Sequence, residues 1–147
     1  MSIHIVRATR EILKNNIDKL LKIDVSVIGE KWAASNFLLE LPGKWEYSIL
    51  AFSKDELIGF AIFSYKKPAV HLHRLAVDDS FRRSAIASSM IKATVILMRM
   101  NNIQTKTANI HKINATARSF FESLGFSETG ESGDNILIQT EIAAISL

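Results

Sequence analysis

The stretch His71-Leu-His-Arg-Leu-Ala-Val-Asp-Asp-Ser-Phe-Arg-Arg-Ser-Ala-Ile-Ala-Ser-Ser-Met-Ile91 decides how the chain is organised. Its first seven residues alternate in the manner of a strand. A short polar loop follows, and from Ser84 the apolar residues repeat at helical spacing: Ala87, Met90, Ile91, Thr94, Val95 and Met98 mark an amphipathic helix to Met100. A strand that runs through a polar loop into a helix start makes an anion site, because unpaired backbone N–H groups and the helix dipole converge there. Arg82, Arg83 and Ser84 add side-chain donors suited to a pyrophosphate, while Ala85 and Ala87 keep the backbone approachable. The plain alternative is a solvated basic cap. Ile103 to Ile110 reads as the next strand, so the long helix is a crossover between two strands.

Working outward, Ile3 to Val6 reads as a first strand, and Thr9 caps a helix beginning at Arg10. A second helix covers Glu30 to Leu39 and ends at Pro42-Gly43. Tyr47 to Phe52, Leu57 to Tyr65 and Val70 to Val77 form an antiparallel meander. Downstream of the crossover, Asn114 caps a helix bearing Ala117, Phe120, Phe121 and Leu124, which Gly125 ends. Ser127 to Ile142 makes a final hairpin with its loop at Gly130 to Asp134. The order is β-α-α-β-β-β-α-β-α-β-β: an α+β domain with a mixed, mostly antiparallel central sheet and helices on both faces. With no repeat and no linker, residues 1–147 read as one domain.

Composition narrows the function. Of 147 residues 48% are hydrophobic, enough for a core, and no apolar run approaches the roughly twenty residues of a membrane span. The first ten residues lack a secretory apolar region, and there is no cysteine, so a cytoplasmic setting is expected and thiolate chemistry is excluded. Net charge is +3, but its placement is lopsided. Lys66 to Arg118 holds ten basic and two acidic residues, net +8, while the rest nets −5. Such a window suits an anionic partner. Nucleic acid is disfavoured because aromatics do not interleave with the basic residues.

Two motifs give the anion a candidate identity. Leu75-Ala76-Val77 followed by Arg82-Arg83-Ser84-Ala85-Ile86-Ala87 resembles motif A of the GNAT acyl-CoA N-acyltransferases, a strand ending in an LAV-like tripeptide and then [QR]-x-x-G-x-[GA]. Ala85 stands where that pattern has glycine. Asn114-Ala-Thr-Ala-Arg-Ser-Phe-Phe-Glu-Ser-Leu-Gly-Phe126 resembles motif B. The resemblance implies a GNAT fold and acetyl-CoA as co-substrate, with no metal. It implies that Leu75, Ala76 and Val77 pair with the pantetheine arm, that Arg82 to Ser88 (including Ile86 and Ala87) cradle the pyrophosphate, and that Asn114 and Phe121 border the thiol end. His71 and His73 precede LAV as they do in the arylalkylamine (serotonin) N-acetyltransferases, which the stretch locally resembles. That likeness implies a proton-relay pair acting on a primary amine, although that family's tyrosine acid falls at Phe121. Two ordinary strand histidines or a metal pair are the alternatives for His71 and His73, the latter without a third ligand at suitable spacing. The acceptor would be a small amine or, as an alternative, a protein or peptide amine, with the segment from Asp24 to Lys44 on the acceptor side. A degraded, acyl-CoA-binding module is the rival class. Trp32, Phe37, Trp45 and Tyr65 are candidates for an acceptor pocket or for the core.

Overall fold

A computed structural model describes residues 2–82 and 85–142. Strands β1 (Ile3–Arg7), β2 (Ile49–Ser53), β3 (Glu56–Lys66), β4 (Ala69–Val77), β5 (Thr105–His111), β6 (Ser127–Ser132) and β7 (Asn135–Glu141) form one sheet in the order β1-β2-β3-β4-β5-β7-β6. The β4–β5 pair is parallel and the other pairs are antiparallel. This is the mixed, mostly antiparallel sheet that the alternation implies, with the parallel pair joined by the expected crossover helix.

The helices differ in detail from the sequence reading. Between β1 and β2 lie four short segments, α1 (Arg10–Asn15), α2 (Ile17–Asp24), α3 (Ala34–Leu38) and α4 (Lys44–Tyr47), where two helices were expected. The helix that Thr9 caps, through its Oγ1 and the Ile12 N–H at 3.1 Å, breaks at Asn16. The Asn16 side chain donates to the Ile12 carbonyl at 2.9 Å and so competes for a helical acceptor. Helix α4 is a single turn started by Gly43 at φ +74°, where a Cβ would stand 2.8 Å from the Tyr65 Cβ. Only glycine meets both demands. The crossover helix α5 spans Ile86–Met100, and α6 spans Ala115–Ser123 with Asn114 accepting from the Ala117 N–H at 3.1 Å.

Two apolar layers sandwich the sheet. On one face α5 and α6 set Met90, Ile91, Val95, Met98 and Phe121 against Ile58, Ala61, Phe63, Val70, Leu72, Ala108 and Ile110. On the other, α1 to α3 set Leu13, Leu20, Ile23 and Phe37 against Leu50, Leu57, Phe60 and Ile62. Burial on this scale, at about 25 cal/mol per Å², is what drives such a layered fold. No helix among the described residues is long and apolar enough to cross a membrane.

Candidate active site

The site follows from where β4 and β5 stop pairing. Their parallel ladder runs only from Ala69–Thr105 to Leu72–Ala108. On its other side β4 carries a bulge, since Leu72 opposes Phe63 and Arg74 opposes Ile62, leaving His73 as the extra residue. A bulge bends its strand and re-aims the extra side chain. From His73 onward β4 leaves β5, and among the described residues the main-chain groups of His73–Val77 not turned toward β3 pair with no second strand. The gap is a cleft of about 1210 Å³.

Most of the expected site residues line this one cleft: His73, Leu75, Ala76 and Val77 from β4, Arg82, Ala85, Ile86, Ala87 and Ser88 at the start of α5, and Asn114 and Phe121 from the α6 side. Arg83 and Ser84 lie outside the described residues. His71 does not reach the cleft. It is 5% exposed and sits behind His73, the two rings meeting edge to face at 4.9 Å instead of the roughly 7 Å that plain alternation implies. The bulge brings them together. Trp32 lines the cleft, but Phe37, Trp45 and Tyr65 pack into the two apolar layers.

Both imidazoles are anchored. His73 Nε2 is hydrogen-bonded to Ser64 Oγ at 2.6 Å and His71 Nδ1 to Thr107 Oγ1 at 2.7 Å. Burial pushes each down to about 4. The positive charge of Lys66 adds to this at both rings, as do His73 at His71 and Lys44 at His73. The pair is therefore neutral at physiological pH, a state able to accept a proton but less basic than a free imidazole.

At the other end, Ala85 caps α5 at φ +64°, ψ +17°, the left-handed region in which a non-glycine residue is strained. The first residues of α5, Ile86 to Ser88, line the cleft, so the helix N-terminus that an anionic ligand would use lies at its edge. Arg82 is half-exposed and ion-paired with Asp79 at 3.0 Å. Phe121 is buried and packs edge to face on Phe120 and Phe126, so no hydroxyl stands at that point.

Two lining features, His111 and Arg74, escaped the sequence reading, while the segment 26–32 falls within the stretch Asp24 to Lys44 expected on the acceptor side. His111, at the end of β5, faces the cleft with its Nδ1 accepting from the Ile113 N–H at 3.4 Å. The segment 26–32 forms the opposite wall. Arg74, between His73 and the Leu75-Ala76-Val77 tripeptide, is ion-paired with Asp24 at 2.7 Å. Partners fifty residues apart leave no local signal. His111 did carry one, an in-register position at the strand end facing motif B.

Residues 32–138 match the family described as the acetyltransferase (GNAT) domain, and the chain belongs to that family. Its fold is similar to that of the PaiA N-acetyltransferase of Thermoplasma acidophilum in complex with coenzyme A: TM-score 0.79, 17% identity, 96% of this chain and 99% of that one. It is likewise similar to Ard1 of Thermoplasma volcanium, with TM-score 0.82, 19% identity and coverage of 96% and 98%. For the ribosomal-protein-S18-alanine N-acetyltransferase of Escherichia coli the values are 0.80, 16%, 96% and 94%. At these identities the likeness is one of fold. N-acetylaspartate synthetase of Danio rerio is 31% identical over 68 residues, which is 46% of this chain but only 24% of that protein.

Proposed function

We propose that residues 1–147 act as one N-acetyltransferase domain that moves an acetyl group from acetyl-CoA to a primary amine by direct attack. The observation that carries this reading is the fork at His73, where a neutral, anchored imidazole meets a strand with free main-chain groups and a helix N-terminus beyond. Acetyl-CoA would supply the acetyl group as an activated thioester. Leu75, Ala76 and Val77 would pair with its peptide-like arm as an added strand does, and Arg82 to Ser88 would take the pyrophosphate. The basic window from Lys66 to Arg118 fits the phosphates.

His73 takes the proton from the attacking ammonium, and His71 with Thr107 leads it away from the cleft. The Leu75 backbone N–H donates to the carbonyl oxygen as charge develops there. As the nitrogen–carbon bond forms and the carbon–sulfur bond breaks, the nitrogen gives its second proton to solvent and solvent protonates the leaving thiolate, since Phe121 offers no acid. A thiol pKa near 8.5 makes that step undemanding.

For the acceptor we favour a small amine, from the histidine pair and its arylalkylamine likeness. The similar proteins divide: N-acetylaspartate synthetase carries a small molecule in its name, the S18-alanine enzyme an alanine of a ribosomal protein. The strained alanine at φ +64° favours the second reading, a module that binds acyl-CoA without turnover. One screen decides. Thiol release from acetyl-CoA is measured across arylalkylamines, polyamines, amino sugars and peptide N-termini, beside calorimetry with acetyl-CoA. Amine-dependent release supports transfer; binding without release supports the module; absence of binding at millimolar acetyl-CoA overturns both.

A further inference from the structure

The segment 25–33 lies between α2 and α3, lines the cleft with residues 26–32, is bonded to the β4 arm of the fork and comes close to the β5 arm. On the β4 arm, Arg74 Nε donates to Asp24 Oδ1 at 2.7 Å and its Nη2 to Oδ2 at 3.0 Å. The same Nη2 donates to the Glu30 carbonyl at 2.9 Å. Asp24 Oδ2 also accepts from the Trp32 N–H at 2.9 Å, and the Trp32 ring lies 5.5 Å from the guanidinium carbon. Asp24 is 1% exposed. On the β5 arm Gly29, at φ +104°, comes so near His111 that a Cβ there would lie 3.4 Å from its Cδ2.

We propose that Arg74 is a positioning residue: locked by Asp24, it holds segment 25–33 across the cleft as a fixed roof that sets how an acceptor reaches His73. The inference rests on the acetyl-transfer reading for its kinetic part only. Its physical basis is the guanidinium, whose planar fork satisfies two carboxylate oxygens and a carbonyl together, which a lysine ammonium cannot do with the same geometry. Without the Arg74 fork the buried Asp24 carboxylate keeps the Trp32 N–H but loses its two-point charged partner, which a lysine at 74 restores only in part, so the segment must open to hydrate it. Arg74 also sits between His73 and Leu75. One side chain thus joins the acceptor wall to the strand that would carry the cofactor arm.

The test compares wild type with Arg74→Lys and Asp24→Asn, both close in shape, and with Arg74→Gln. Three quantities are read: the rate of trypsin cleavage after Lys31, the calorimetric Kd for acetyl-CoA, and KM for the amine that gives the fastest thiol release in the acceptor screen. The roof predicts cleavage and acceptor KM each rising about tenfold or more in Arg74→Lys, with the acetyl-CoA Kd within about threefold of wild type. Unchanged cleavage after Lys31 in all three variants overturns the proposal. So does an equal weakening of acetyl-CoA and acceptor binding, the mark of general support for the fold. Should wild type release no thiol with any amine, the transfer reading fails while the trypsin and acetyl-CoA arms still decide the clamp.

Discussion

Residues 69–72 and 73–77 belong to one strand and serve opposite ends. The first four are laddered on both sides, to β3 and to β5, and are buried from Ala69 to Leu72. The last five keep β3 alone, follow a bulge and line a cleft. Composition does not separate them, since His71 lies in the closed half and His73 in the open one. What differs is whether β5 stays within hydrogen-bonding reach. The cleft needs no special residue to open it, only a parallel partner that stops pairing after four positions, because main-chain groups freed within a sheet must find other partners.

The comparison breaks most visibly at its hinge. His73→Gln is expected to lower the acetylation rate by about 10²- to 10⁴-fold, the usual share of a general base, while His71→Gln, one layer back, costs less. With both imidazoles held near 4, the histidine limb of the rate profile falls near pH 4. Any rise between pH 6 and 8 then belongs to the acceptor amine. A limb near pH 6.5 that vanishes in His73→Gln would show that the open half is wetter than its burial indicates.

The same histidines make an acid test of stability. Each pKa is lower folded than the roughly 6.5 of an unfolded chain, so the unfolded state binds more protons between these values. Stability is complete above about pH 6.5 and falls as pH drops toward 4, by on the order of 2 kcal/mol per histidine between pH 6.5 and 5. Urea midpoints for wild type and the double glutamine variant check this, the variant being the flatter of the two.

A smaller effect belongs to the closed half. Lys106 pairs with Val70 in the ladder, is fully buried, and among the described residues sets its amine 3.3 Å from the Ile91 carbonyl and 4.6 Å from the Phe63 ring, with no carboxylate paired to it. Burial pushes it down to about 7. The charged form favours the unfolded chain, so the penalty is greatest at and below neutrality and shrinks as pH rises toward 10.5. Lys106→Met should therefore stabilise by about 1–3 kcal/mol at pH 7 and by much less at pH 10, read from denaturant curves at both. A loss at pH 7 would mean that its carbonyl and ring contacts outweigh desolvation.

These contrasts mark what a linear reading reaches. Motif A, motif B and the crossover are local strand–turn–helix signals, so the succession of strands, the two later helices and most of the cleft lining were legible. The break at Asn16, the bulge at His73 and the Asp24–Arg74 pair were not. Each arises from competition or contact that period counting cannot see: a side chain taking a helical carbonyl, an extra residue opposite β3, a partner fifty positions away. Lys106 was hidden differently, lying in phase with Ala108 and Ile110 where alternation calls for an apolar residue.

The smallest effect falls at the far end of the open half. Ala85 occupies the left-handed region at the start of α5, where an L-residue costs about 1–2 kcal/mol and glycine almost nothing. Glycine returns part of that gain through the greater freedom of the unfolded chain, about 0.5–1 kcal/mol. Ala85→Gly should thus stabilise by about 0.5–1 kcal/mol net, a rise in Tm of roughly 2–4 °C for a chain of this size. Removing the methyl also clears space beside the α5 N–H groups, so acetyl-CoA should bind slightly tighter. The two readouts are separable. A higher Tm with unchanged acetyl-CoA affinity would place the strain in the turn alone, whereas a lower Tm would show that the alanine is held by packing that offsets its backbone cost.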